Sequence, residues 1–153
     1  MNINEIYREI ILKYANLTMH QGLIPKTPFP NIISRKENKI CGESIILQIF
    51  ISEKKLTMIK YKTKGCAILV ASSSLMSIFL KNLPLSIVIK KINHFLNMIN
   101  NKHFDSSYLE KDLLSLKLIN NFPGRLLCAT IPWELLLKMI QKKFIKKTNL
   151  QKI

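Results

Sequence analysis

The chain has 153 residues, 48% of them hydrophobic, and a formal charge of +15 at pH 7. That apolar content excludes wholesale disorder, and the length suits one domain able to bury a real core. Only four glycines and six prolines are present, which excludes a collagen-like or loop-dominated chain.

The charge is carried mainly by Lys, with Arg only at Arg8, Arg35 and Arg125. Lys, Asn and Ile are all favoured by A/T-rich coding, so part of the charge reads as compositional drift and a solvated lysine coat. Residues 1–9 contain Glu5 and Glu9 and no apolar core of a secretory signal. The longest apolar stretch, Cys66 to Leu80, is interrupted by four serines and falls short of the ~20 residues that cross a bilayer. A cytoplasmic protein with no membrane partner is the expectation.

In chain order, Ile3, Ile6, Tyr7, Ile10, Ile11, Tyr14 and Leu17 share one helical face, predicting a helix over residues 3–17. Gly22, Pro25, Pro28 and Pro30 mark an irregular connector. Ser44–Ile51, Leu56–Thr63 and Cys66–Val70 then predict a three-stranded antiparallel meander, with a polar turn over Ser52–Lys55. Ser72–Ser74 are read as the cap of a helix running to about Lys81, and Pro84 as the first turn of the next, with Val88, Ile92, Phe95 and Ile99 as its stripe. Ser107 and Glu110 have capping-box spacing ahead of Leu109, Leu113 and Leu116. Asn120–Gly124 reads as a loop. The last helix begins near Thr130, with Pro132 and Glu134 in its first turn and Trp133, Leu136, Leu137, Ile140 and Phe144 as its stripe. The expected fold is α+β: a small three-stranded antiparallel sheet with helices packed on one side, and a long helical insertion before the last helix.

Cys41, Cys66 and Cys128 are separated by 25 and 62 residues, unlike the short pairs of a zinc finger. An odd cysteine count argues against a disulfide framework. Each cysteine stands at an end or junction of predicted elements, so three thiols and the carboxylate of Glu43 could converge on a four-coordinate site for zinc or iron. Spacing alone favours the blander alternative, three unconnected buried cysteines.

The blocks around them carry more. Cys41-Gly42-Glu43, then Gly65-Cys66-Ala67-Ile68 leading into Ala71-Ser72-Ser73-Ser74-Leu75-Met76, then Phe122-Pro123-Gly124-Arg125-Leu126-Leu127-Cys128-Ala129 with Trp133 beyond, resemble the U-type iron–sulfur cluster assembly proteins, the NifU N-terminal/IscU family. The SufU-like branch is the better match, through the helical insertion and the Phe-Pro-x-Arg-x-x-Cys-Ala block. The IscU branch places His before the third Cys, where this chain has Leu127, and carries a Leu-Pro-Pro-Val-Lys segment absent here. Other departures are Glu43 for the family's Asp, Thr63 for Gly and Lys39 for Pro.

The resemblance implies a single SufU/IscU-like domain over residues 1–153, with Cys41, Glu43, Cys66 and Cys128 as metal ligands. It implies a sulfurtransferase-like acceptor: Cys41 takes persulfide sulfur from a SufS-like cysteine desulfurase, beside Arg125, and passes it to downstream assembly proteins. Zn²⁺ is the implied resting metal; a [2Fe–2S] cluster on the same ligands is the alternative.

Other candidates are weaker. His20, His94 and His103 stand beside no cysteine and are expected to be structural or surface residues. Lys138, Lys142 and Lys146, with Lys143, Lys147 and Lys152 nearby, form a basic stripe on the last helix. A basic nucleic-acid or protein interaction module with structural cysteines is therefore the rival class. The stripe lacks interleaved Arg or aromatic residues, so a solvated face is expected and a nucleic-acid partner is not.

Overall fold

A computed structural model describes residues 2–40 and 42–151, without the side chains of Ile3 and of residues 145–151. Helix α1 (Ile3–Ala15) opens on a capping box, in which Asn2 accepts from the Glu5 N–H and Glu5 returns the bond to Asn2. Strands β1 (Asn31–Asn38), β2 (Glu43–Ser52) and β3 (Lys55–Lys64) follow, then α2 (Ala67–Leu80), the two-residue β4 (Leu83–Pro84), α3 (Leu85–Ile99), the short α4 (Lys111–Leu114) and the long α5 (Leu126–Gln151). The antiparallel sheet has the order β1-β2-β3-β4. Among the described residues no helix is long and apolar enough to cross a membrane.

The α+β class, the antiparallel sheet and the helical insertion match expectation, but the strands are distributed differently. Cys66–Val70 is not the third strand: Cys66 is the N-cap of α2 and the rest is its first turn. A short apolar run fits a buried helix as well as a strand, and length decides here, since the run continues to Leu80. The additional long strand is β1, which lies at the sheet edge directly after the proline-rich connector. Its sequence NIISRKEN is mostly exposed and gives little alternation to read.

The β2–β3 hairpin turns through Glu53 and Lys54, both at positive φ (52° and 62°), the backbone that a two-residue turn between twisted strands demands. Ile45, Leu47 and Ile49 point from β2 into the core and are fully buried. Gln48 points the other way, yet is buried, because its amide bonds both the N–H (2.7 Å) and the carbonyl (2.9 Å) of Ile24 and so ties the connector to the sheet.

Three helix expectations are corrected. Ser72–Ser74 lie inside α2 and are buried, not at its start. The segment after Ser107 is not one helix but a 3₁₀ turn at Ser106–Tyr108, then α4, then further 3₁₀ turns over Ser115–Asn121 and Pro123–Arg125. The last helix begins four residues earlier than expected, at Leu126, which leaves Pro132 within it. Trp133 stacks on Phe95 of α3 with ring centroids 3.9 Å apart, and both are fully buried.

Candidate metal centre

The site forms where three elements meet. Glu43 is the first residue of β2, Cys66 caps α2 and Cys128 lies in the first turn of α5. Their ligand atoms all lie within 4.8 Å of one another, and among the described residues no other group of His, Cys, Asp and Glu does so in threes. Cys41 falls outside the described residues. Its neighbour Ile40 is 95% exposed, and Gly42 takes positive φ (71°) while its N–H bonds the Asn38 carbonyl at 2.8 Å, which turns the chain from β1 into β2.

Glu43 is 6% exposed and organises the cluster. Its Oε1 accepts from the Cys66 N–H and from the Cys128 thiol, each at 3.3 Å. The carboxylate thus sits at the N-terminus of α2, the favourable end of the helix dipole for a negative charge. Burial pushes the Glu43 carboxyl up, but hydrogen bonds from Cys128 and Cys66 and the nearby charge of Arg125 outweigh it and hold the group below its ordinary value. Burial, then the bonds and charges of Glu43 and Cys66, push the Cys128 thiol far above the usual thiol range. In this arrangement Cys128 is a thiol that donates to a carboxylate.

The other carboxylate oxygen, Oε2, is buried and has no hydrogen-bond partner among the described residues. An orphaned buried carboxylate oxygen beside two thiols is costly unless something further binds it. Two sulfurs and one oxygen also make a donor set suited to zinc or iron. On both grounds the residues fit a metal.

Gly65 makes room for this carboxylate. A Cβ there would meet the Leu69 Cδ2 at 2.7 Å and the Glu43 Cγ and Cδ at 3.0 and 3.2 Å. Arg125 lies on the 3₁₀ turn before α5, exposed, with its charge felt by both Glu43 and Tyr7. Tyr7 of α1 also borders the site. Its phenol is pushed up by burial and then by Cys66, with Arg125 partly offsetting them. Sequence reasoning placed Tyr7 only on an apolar helix face, and no motif signals more.

Among the described residues no histidine joins the cluster, and His103 is exposed. His94 accepts the Asp105 N–H on Nδ1 at 3.0 Å and stacks on Tyr108 at 4.5 Å, while the buried His20 offers its carbonyl to the Tyr61 N–H.

A thiol at a helix N-cap position, a second thiol at the start of the last helix and a carboxylate opening a strand, on an antiparallel sheet with helices behind it, define a thiol–carboxylate centre on an α+β frame. The chain matches the NifU-like N-terminal domain over residues 6–129, and it belongs to that family of U-type assembly proteins. It is 26% identical to the zinc-dependent sulfurtransferase SufU of Bacillus subtilis over 142 residues, covering 93% of this chain and 94% of that protein. It is 28% identical to the iron–sulfur cluster assembly scaffold protein IscU of Thermotoga maritima over 137 residues, covering 90% and 94%. The crystal structure of a SUF-system assembly scaffold from Fervidobacterium islandicum superposes with a TM-score of 0.76 at 25% identity, covering 86% of this chain and 93% of that one.

Proposed function

We propose that this chain is a zinc-binding sulfur acceptor of iron–sulfur cluster assembly, taking sulfur on Cys41 from a SufS-like cysteine desulfurase. The observation that carries the reading is the convergence of Glu43, Cys66 and Cys128 within 4.8 Å, with the buried Glu43 Oε2 left without a hydrogen-bond partner among the described residues. These three would hold the metal, with Cys41, two residues before Glu43, as the fourth ligand of a tetrahedral set. A bound zinc would hold the sulfurs as thiolates at neutral pH.

In the transfer step the Cys41 thiolate attacks the terminal sulfur of the desulfurase persulfide. A new S–S bond forms at Cys41 as the donor's S–S bond breaks, and the electron pair leaves with the donor cysteine as its thiolate. The exchange is redox-neutral and needs no further reactant. Arg125 supplies a fixed positive charge beside the carboxylate, suited to holding a released thiolate. Likeness to a zinc-dependent sulfurtransferase supports the zinc reading. Likeness to IscU scaffolds supports a second, a [2Fe–2S] cluster assembled on the same ligands.

The test is to incubate the chain with a cysteine desulfurase and cysteine, alkylate, and locate added sulfur by peptide mass spectrometry. One extra sulfur on the Cys41 peptide, lost in Cys41→Ser and slowed in Arg125→Ala, is expected. An unmodified Cys41 under conditions where the desulfurase carries its own persulfide contradicts the reading. Salt-sensitive nucleic-acid binding that survives loss of all three cysteines would favour the basic interaction module instead.

A further inference from the structure

We propose that Ser72 and Trp133 are positioning residues that fix where Cys128 stands relative to Cys66, an inference that rests on reading these thiols as one metal site. Within α5 the carbonyl of Cys128 faces position 132, where a helix would supply an N–H. Pro132 has none, and its ring crowds that carbonyl. The helix is therefore weakened at the residue that carries the thiol.

A cross-helix link takes over one residue later. The Ser72 hydroxyl of α2 donates to the Ala129 carbonyl at 2.6 Å, and the Trp133 indole N–H donates to the same hydroxyl oxygen at 2.9 Å. Ser72, Ala129 and Trp133 are all fully buried, so both bonds lie away from water, where geometry is most tightly held. The link joins the two metal-facing helices: Cys66 caps α2 six residues before Ser72, and Cys128 immediately precedes Ala129. Ser73 and Ser77 instead return their hydroxyls to carbonyls of α2 itself, at 2.8 Å each. Position 72 therefore differs from these two in crossing to α5. Phe95 stacks on the face of the indole.

The experiment titrates metal-free chain with Co²⁺ under chelator competition and records the thiolate-to-cobalt absorption. The chain, Ser72→Ala and Trp133→Phe are compared with Val88→Ala, a fully buried core change on α3. Ser72→Ala and Trp133→Phe are expected to weaken Co²⁺ binding by roughly tenfold or more, as lost outer contacts of metal ligands do, and to shift the ligand-field bands. Val88→Ala is expected to lower the melting temperature while leaving affinity and spectrum unchanged. Trp133→Phe keeps a ring against Phe95 and carries the test if Ser72→Ala fails to fold. Normal affinity and spectrum in variants that melt early overturn the positioning role and leave the metal site standing. Absence of cysteine-dependent cobalt absorption in the unsubstituted chain overturns both.

Discussion

The Cys128 thiol donates to Oε1 of Glu43 across 3.3 Å, joining residues 85 positions apart in sequence. The same oxygen takes the backbone N–H that opens α2, so a single carboxylate connects the first turn of one helix to the cap of another.

Glu43→Gln keeps the size of the side chain and removes its charge. Zinc affinity, measured by competition with a chromogenic chelator, is expected to fall by at least the roughly tenfold that loss of a ligand's outer partner costs, with the fold intact. Unchanged affinity would show that the carboxylate is only a structural hydrogen-bond acceptor.

Gly65→Ala tests the space behind that carboxylate. The added methyl meets Leu69 at 2.7 Å and the Glu43 side chain at 3.0 Å, so it must displace one of them. Destabilisation of about 1–3 kcal/mol in urea unfolding is expected, together with weaker metal binding. An alanine accepted without either effect would mean that Glu43 is free to move.

Most of this centre was legible because it is written in local blocks. The Cys-Gly-Glu, Gly-Cys-Ala-Ile and Arg-x-x-Cys-Ala segments, through their resemblance to the U-type family, single out Glu43, Cys66 and Cys128 before any fold is known. What brings them together was not legible: a hydrogen bond between positions 43 and 128, or between 72 and 129, leaves no periodic signal. Ser72 misled for the same reason. Serine favours helix caps, yet here its hydroxyl serves a partner on another helix. Edge strand β1 was hidden because only one side of it meets the sheet. Cys41 lies outside the described residues, so its place rests on the Cys-Gly-Glu block alone.

Tyr14 bonds Asp112 and thereby pins α1 to the helical insertion. Tyr14→Phe is expected to cost about 1.5–3 kcal/mol in urea unfolding, the usual value of a hydrogen bond to a charged group, without change in zinc content. A neutral substitution would mean that apolar packing alone holds the two together.

His20 gives the fold a pH dependence apart from the metal centre. Burial and then the charge of Lys81 lower its pKa below the ordinary 6.5, with a bond to Ile59 partly offsetting them. The unfolded chain thus takes up a proton that the folded chain refuses. This contribution is complete above pH 6.5 and is lost as the pH falls through the lowered value. His20→Gln is expected to flatten the fall in urea midpoint below pH 6.5; an unchanged profile would assign that slope to other groups.

The most direct test of the account is metal and acid-labile sulfide content per chain, on protein purified without oxygen. About one zinc per chain is expected, as a closed four-ligand site holds, with no sulfide and with the zinc lost in Cys66→Ser and Cys128→Ser. Iron with matching sulfide would contradict the zinc reading in favour of a cluster scaffold, and a chain that retains no metal at all would contradict the metal centre itself.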